Sequence, residues 1–378
     1  MSGGPQRILF IANGNGEDSI AAAIIAKLPE NILAEAYPVV GAGNAYTNFC
    51  PIVGPRSFMP SEGWRHTSGS VARDVKGGML ASIWPAIRFL RQARGRYDKV
   101  VAVGDAVTPL LCKLAGLPID IYLDVFKSGY AHRYSAPERW LIGAIAKKTY
   151  CRDTMLAKSL SARGILAMSA GNIMLDTVPY GSYDMAKKRK RDLAVTLLPG
   201  SRVWTAESLK LQVAALRLLP AELVPDVFVA IAGGIDVVDL AHATGLVHKP
   251  SRSKNPADLG QLAGEGLVLH LATGAIGNLI AGSDIVLSQA GTATQQALGL
   301  GKPVITFNRA DNRPKRMADE QALMGEARIL TAPDAAALAT ALQGLLADSD
   351  ERTRLGTIGR ARLGGPGTLQ AVIADLSG

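Results

Sequence analysis

Short runs of β-branched and aliphatic residues alternate with longer stretches of helical spacing along nearly the whole chain, which restricts the fold more than any other feature. Strand, helix and strand in succession fold into parallel sheet with helices on both faces. The first series is read as the strand Arg7–Ala12, a helix over Asp18–Leu28 and a strand over Leu33–Val40. Lys99–Val103 and Ile119–Leu123 then flank an apolar helix, Val107–Leu114. A second series begins at Leu193–Leu198 and runs through Val227–Ala232, Gly266–Leu271, Asp284–Ser288 and Pro303–Phe307. Two such series in 378 residues predict two Rossmann-like α/β domains, over 1–180 and 192–360, with 361–378 as a C-terminal helix packing back on the first. Between them Tyr180–Arg191, with its run Lys187-Lys188-Arg189-Lys190-Arg191, reads as a solvated linker.

Composition narrows the class. Aromatic residues make up only 5%, which suits helix-on-sheet layers better than a β-sandwich. Cys50, Cys112 and Cys151 lie far apart, so neither a disulfide framework nor a zinc site is expected, and free thiols fit a reducing, cytoplasmic setting. No apolar run approaches the ~20 residues that cross a bilayer, and the N-terminus has no signal-peptide core. The formal charge of +9 suits nucleic acid, anionic lipid or a phosphorylated substrate. No aromatic RNA-binding motif, zinc finger or helix-turn-helix accompanies it, so no nucleic-acid partner is expected.

Three loops at strand C-terminal ends carry the chemistry of the second series. Pro199-Gly200-Ser201-Arg202 combines close backbone approach with a guanidinium, a pairing suited to phosphate, though a plain Pro-Gly turn has the same sequence. Gly233-Gly234 is a second bend. Ser288 to Leu298 places Gly291, Thr292, Ala293 and Thr294 between a strand and a helix. There hydroxyls and amides at the positive helix end suit a diphosphate, while Thr292 also reads as a simple N-cap. Gln296 is one turn further in, within reach of a ribose. Open α/β sheets bind ligands at such loops.

The first loop, Asn13-Gly14-Asn15-Gly16-Glu17-Asp18-Ser19, approaches a dinucleotide fingerprint but sets two carboxylates where a pyrophosphate would lie. Glu17 and Asp18 read instead as acceptor-side groups, one of which takes a proton from an attacking hydroxyl, or as helix caps. Asp105 follows another strand end and is the third candidate base. Residues Arg56–Arg96 hold eight basic side chains against two acids. Within them Met79, Leu80, Ile83, Trp84, Ile87 and Leu90 fall at helical spacing, as a surface for an anionic membrane or as an ordinary core stripe.

Leu-Leu-Pro-Gly-Ser-Arg at 197–202, the Gly-Thr-Ala-Thr stretch with its Gly-Lys-Pro at 291–303, and the Asn13–Asp18 loop resemble the lipid-A-disaccharide synthase family, and more closely its synthase-related branch. Gly171–Asp176 is similar to a further segment of that family. The resemblance implies the GT-B fold, two Rossmann-like domains with a deep interdomain cleft. It also implies a UDP-sugar as substrate, inversion at the anomeric carbon and a lipid-linked acceptor at the membrane surface. No metal and no cofactor are expected; the one Asp-x-Asp spacing, Asp348-Ser349-Asp350, reads as a helix cap. Leaving-group charge would fall on helix N-termini and Arg202, helped by the basic loop Arg309–Arg316. Where the family has glutamate at 296 this chain has Gln296, and after Asp105 it lacks the family's second acid. A UDP-N-acetylglucosamine 2-epimerase and a non-catalytic nucleotide-sugar-binding protein are the alternatives.

Overall fold

The computed structural model of the protein describes residues 4–57, 79–200, 204–309 and 314–378. The chain forms two compact units, Met1–Thr177 with Pro366–Gly378, and Val178–Gly365.

The first unit runs β1 (Gln6–Ala12), α1 (Asn15–Ile25), β2 (Ile32–Pro38), α2 (Met79–Ala93), β3 (Lys99–Gly104) and α3 (Val107–Ala115). It continues with β4 (Ile119–Asp124), α4 (Ala136–Ile145), β5 (Ala146–Tyr150), α5 (Thr154–Ser161), β6 (Ala167–Met168) and α6 (Ile173–Asp176). Its six strands lie in the order β2-β1-β3-β4-β5-β6, all parallel. Both faces of β1 are covered: Leu9 and Ile11 enter one apolar cluster, Ile8, Phe10 and Ala12 the other. That is why this strand is an unbroken apolar run and not an alternating one.

The stripe on α2 belongs to the first of those clusters. Ile87 and Leu90 are buried and Ile83 packs partly against them, while Trp84 points outward. Of the two readings of that stripe, Ile83, Ile87 and Leu90 follow the core one, because they cover the sheet, while Trp84 does not. Residues 58–78 of the basic stretch lie outside the described residues.

The second unit holds β7 (Ala194–Leu198), α7 (Thr205–Arg217), β8 (Asp226–Ile231), α8 (Val237–Thr244), β9 (Val247–Lys249), β10 (Asp258–Gly264) and β11 (Leu267–Thr273). Then follow α9 (Ile276–Gly282), β12 (Ile285–Ser288), α10 (Thr292–Gly299), β13 (Val304–Phe307), α11 (Pro314–Met324), β14 (Arg328–Thr331), α12 (Ala335–Ala347) and α13 (Ser349–Leu363). The strand order is β14-β13-β12-β7-β8-β11-β10-β9. β10 pairs antiparallel with β9 and β11, at the edge of an otherwise parallel sheet. Glu265 and Gly266, both at positive φ, close the β10–β11 hairpin, as a two-residue turn of primed type requires.

The segment 180–191 is part of the second unit, not a free linker. Asp226 accepts from the backbone N–H groups of Lys190 and Arg191 at 2.6 and 2.7 Å, and Lys188 pairs with Asp258 at 2.9 Å. Tyr183 and Met185 are buried against the sheet. A run of five cations therefore stays in place because acids and apolar anchors hold its backbone.

The last helix, α14 (Thr368–Ser377), packs on the first unit through Leu369, Val372 and Leu376. Asp176 accepts from Gly367 N and Leu369 N at 2.7 and 3.0 Å, at the point where the chain returns. Asp348 accepts from Glu351 N at 2.8 Å and so caps α13. The three cysteines are free, Cys112 and Cys151 buried. No helix among the described residues is long and apolar enough to cross a membrane.

Candidate functional site

In the first unit the chain leaves β1 for β2 on one side and returns to β3 on the other, so the C-terminal ends of β1 and β3 form a topological switch point. Asn13 and Asp105 meet there: Asn13 Nδ2 donates to Asp105 Oδ1 at 2.7 Å, and that oxygen also accepts from Val107 N at 2.9 Å, at the start of α3. Gly104 makes the contact possible. At φ 133°, its backbone suits only glycine, and a Cβ there would lie 2.0 Å from Asn13 Oδ1.

Glu17 and Asp18 sit in the first turn of α1, where the helix dipole favours carboxylates. Burial opposes that and wins. The Glu17 carboxyl is held above its usual range by desolvation, with the nearby Asp105 charge adding to it. Asp18, 1% exposed, is pushed up to about 7, chiefly by burial and despite the bond donated by Tyr46 Oη to its Oδ1 at 2.9 Å. Its other oxygen, like Asn13 Oδ1, is buried with no hydrogen-bond partner among the described residues. The three acids thus divide into two roles. Glu17 is half-exposed beside Asp105, whereas Asp18 lies beneath them. Gly14 is buried and Gly16 exposed in the same loop, and Asn15 opens α1; the side chain of Asn15 lies outside what the structure describes.

A second network, which sequence reasoning missed, braces this edge. Asp124, at the end of β4, accepts from Phe126 N, Lys127 N and Tyr134 Oη. Tyr122 donates to Gly104 O at 2.9 Å. Arg152 is buried within the field of Asp124 and Asp153, and Asp153 caps α5 through Leu156 N. Tyr46 was missed as well. No local spacing links either tyrosine to its carboxylate; a strand-end Asp followed by polar loop residues was the one available cue.

In the second unit the switch point lies between β7 and β12. Gly200, at φ 106°, ends β7, and the next loop is adjacent: Gln289 N donates to Leu198 O at 2.8 Å. Ser201 and Arg202 lie outside the described residues. The loop after β12 is pegged from within. Thr294 Oγ1 bonds Ala290 O at 2.5 Å and Ser288 Oγ at 2.6 Å, and Gln289 Nε2 donates to Thr306 Oγ1 and Phe307 O. The hydroxyl of Thr294 is thus turned inward, away from solvent. Gly291 and Thr292 are exposed, and they open α10, whose first-turn amides have no partner within their own helix. Gln296 is 7% exposed and buried in the helix–sheet layer.

Gly291 is notable for what does not require it. Its φ is −82° and a Cβ there would meet nothing within 4 Å, so neither backbone nor packing demands glycine. Gly233 is likewise open, while Gly234 at φ 80° serves its turn, one strand away at the end of β8. Arg309, just after β13, stacks 4.1 Å over the Trp204 ring, a contact between two strand-end loops that the sequence did not foreshadow. Residues 310–313 and the Arg316 side chain lie outside the described set.

No family model matches the chain. No curated protein matches it in sequence. Solved structures do match it over nearly its full length. A UDP-N-acetylglucosamine 2-epimerase superposes with a TM-score of 0.56 at 15% identity, covering 98% of this chain and 95% of the other. The Acinetobacter baumannii MurG gives 0.56 at 14%, covering 99% of each. The Neisseria meningitidis UDP-GlcNAc 2-epimerase, solved bound to UDP-GlcNAc, gives 0.52 at 13%, covering 98% of this chain and 99% of the other. At such identities the likeness is one of architecture, and it agrees with the strand orders above: the chain has the GT-B fold, built as two parallel-sheet, Rossmann-like α/β units.

Proposed function

We propose that the protein is an inverting glycosyltransferase that takes a sugar from a UDP-sugar and gives it to a lipid-linked hydroxyl. The observation that carries this reading is the loop at Gly291, a glycine the protein itself does not need, placed before the open amides of α10. A diphosphate accounts for it: phosphate oxygens approach the backbone where a side chain would intrude, and the helix dipole offsets their charge. Gly200 on the adjacent strand end supports the same site, and Arg309 supplies a cation at that edge. Solved structures of the same fold include an epimerase bound to UDP-GlcNAc.

In the transfer step the acceptor oxygen bonds to the anomeric carbon while the bond from that carbon to the diphosphate breaks, and the acceptor proton passes to a carboxylate. Glu17 is the base we favour. It is partly exposed, and its pKa is raised toward the working range, whereas Asp105 is held by two donors and Asp18 is buried. The reading needs no metal, and Asp348 of the one Asp-x-Asp spacing is occupied as a cap.

Glu17→Gln is expected to lower transfer by about 10²–10⁴-fold while nucleotide binding is retained, measured as sugar incorporation from labelled UDP-sugars into lipid extract. The fold favours one rival, the 2-epimerase. Epimer formed from UDP-GlcNAc without any acceptor would replace the transferase reading with that one.

A further inference from the structure

We infer that Trp204, with Arg309 stacked behind it, is a platform for the pyranose ring of the donor. The inference rests on the nucleotide-sugar reading above and names the part of that substrate met by the edge of the second unit.

Trp204 serves neither the helix it precedes nor the core. It occupies the N-cap of α7, where Ser, Thr, Asp or Asn would offer an oxygen, and its side chain makes no cap bond. The residues that bury α7 against the sheet are Leu209, Val213 and Leu216, while Trp204 stands 49% in solvent. One face of its indole is taken by the Arg309 guanidinium, 4.1 Å from the ring centroid. The cation fixes the plane of the ring, and the surface left over is a flat apolar plate.

The sheet order places that plate. β12 lies between β7 and β13, so a contact from the loop after β7 to the loop after β13 spans the end of β12. There Gly291 and Thr292 open α10. Gln289 pins the ends of β12 and β13 together through Thr306 and Phe307, two residues before Arg309. The plate is therefore held beside the loop assigned above to the diphosphate.

Charge decides which part of the ligand reaches it. In transfer, negative charge develops on the oxygen that leaves the anomeric carbon, so a cation serving it belongs at the sugar end of the diphosphate. Arg309 is the cation of this edge, and it rests on Trp204. The nucleoside then extends the other way, past β7 toward β8, where Gly233 leaves open space. A pyranose turns a face of C–H groups to its neighbour, and an indole offers the matching flat, electron-rich surface.

Isothermal titration of the full chain with UDP, UDP-glucose and UDP-GlcNAc tests the platform. For at least one of the two sugar nucleotides, Trp204→Ala is expected to weaken binding about tenfold, with UDP itself changed by less than about twofold. Trp204→Phe, which keeps a flat ring, should recover most of that loss. Retained UDP binding reports that the fold and the nucleotide site are intact in both variants. Equal loss of UDP and of the sugar nucleotides would put uracil on the ring and overturn the platform. Affinities for both sugar nucleotides unchanged in Trp204→Ala, or a parent protein that binds UDP but neither of them, would overturn it too. A parent protein that binds no UDP compound would instead remove the nucleotide-sugar reading, and the platform with it.

Discussion

Asp18 shows how far a carboxylate can be moved by its surroundings. Its neighbours in sequence place it in the first turn of a helix, where it should stay charged, yet 99% burial beside Tyr46 makes the neutral acid competitive near neutrality. The consequence for stability has a definite sign. The folded pKa, about 7, is above the unfolded value, so protonation favours the fold. That stabilisation is complete below about pH 4 and is lost as pH rises through 7, a change on the order of 4 kcal/mol. Asp18→Asn, which still accepts from Tyr46, should remove this slope and be the more stable form at pH 8. Urea midpoints at pH 5 and 8 for both proteins check it; parallel pH dependence in the two would contradict the account.

The sequence identifies Glu17, Asp18 and Asp105 as a group, and the structure brings Glu17 and Asp105 together at the β1–β3 switch point. What the sequence does not tell is which of them faces solvent. Positions 17 and 18 differ by 100° around a helix, and the depth of each depends on Tyr46, a residue 28 positions away.

Among the elements, those that read clearly are buried on both faces. β1, β3, β7 and β12 are apolar runs because helices cover them front and back. β5, Ala-Lys-Lys-Thr-Tyr, gives no such pattern, since its two lysines answer acids: Lys147 pairs with Asp120 at 2.7 Å and Lys148 with Asp375 of the last helix. The β10–β11 hairpin escaped because Glu265-Gly266 is not one of the usual turn pairs. The final helix was legible as a helix, and its seat follows from three apolar residues, one of which is testable. Leu376 is fully buried among residues of β1 and α1. Leu376→Ala should cost about 2–5 kcal/mol, read as a lowered midpoint of thermal or urea unfolding. A change below about 0.5 kcal/mol would mean the helix adds little to the first unit.

At the scale of the molecule, two βα series were visible, but not where the chain passes from one unit to the other. The basic run at 187–191 looked like a linker because charge usually marks solvent. It is instead part of the second unit, held by Asp226 and Asp258, and the passage lies at Thr177–Val178. The loop at Gly291 was legible as a loop for a different reason: a glycine there is conspicuous in sequence whether a turn or a ligand demands it, and only geometry shows that no turn does.

That glycine also provides the most direct test. At Gly291 the φ of −82° suits any residue and a Cβ meets nothing within 4 Å, so the fold should tolerate Gly291→Val, with a midpoint within a few degrees of the parent protein. Ligand binding should not tolerate it. Thermal shift with UDP is expected to stabilise the parent protein and leave Gly291→Val unmoved, while no such loss occurs for Glu17→Gln. Stabilisation of Gly291→Val equal to that of the parent, or a parent protein that no UDP compound stabilises, would contradict the account.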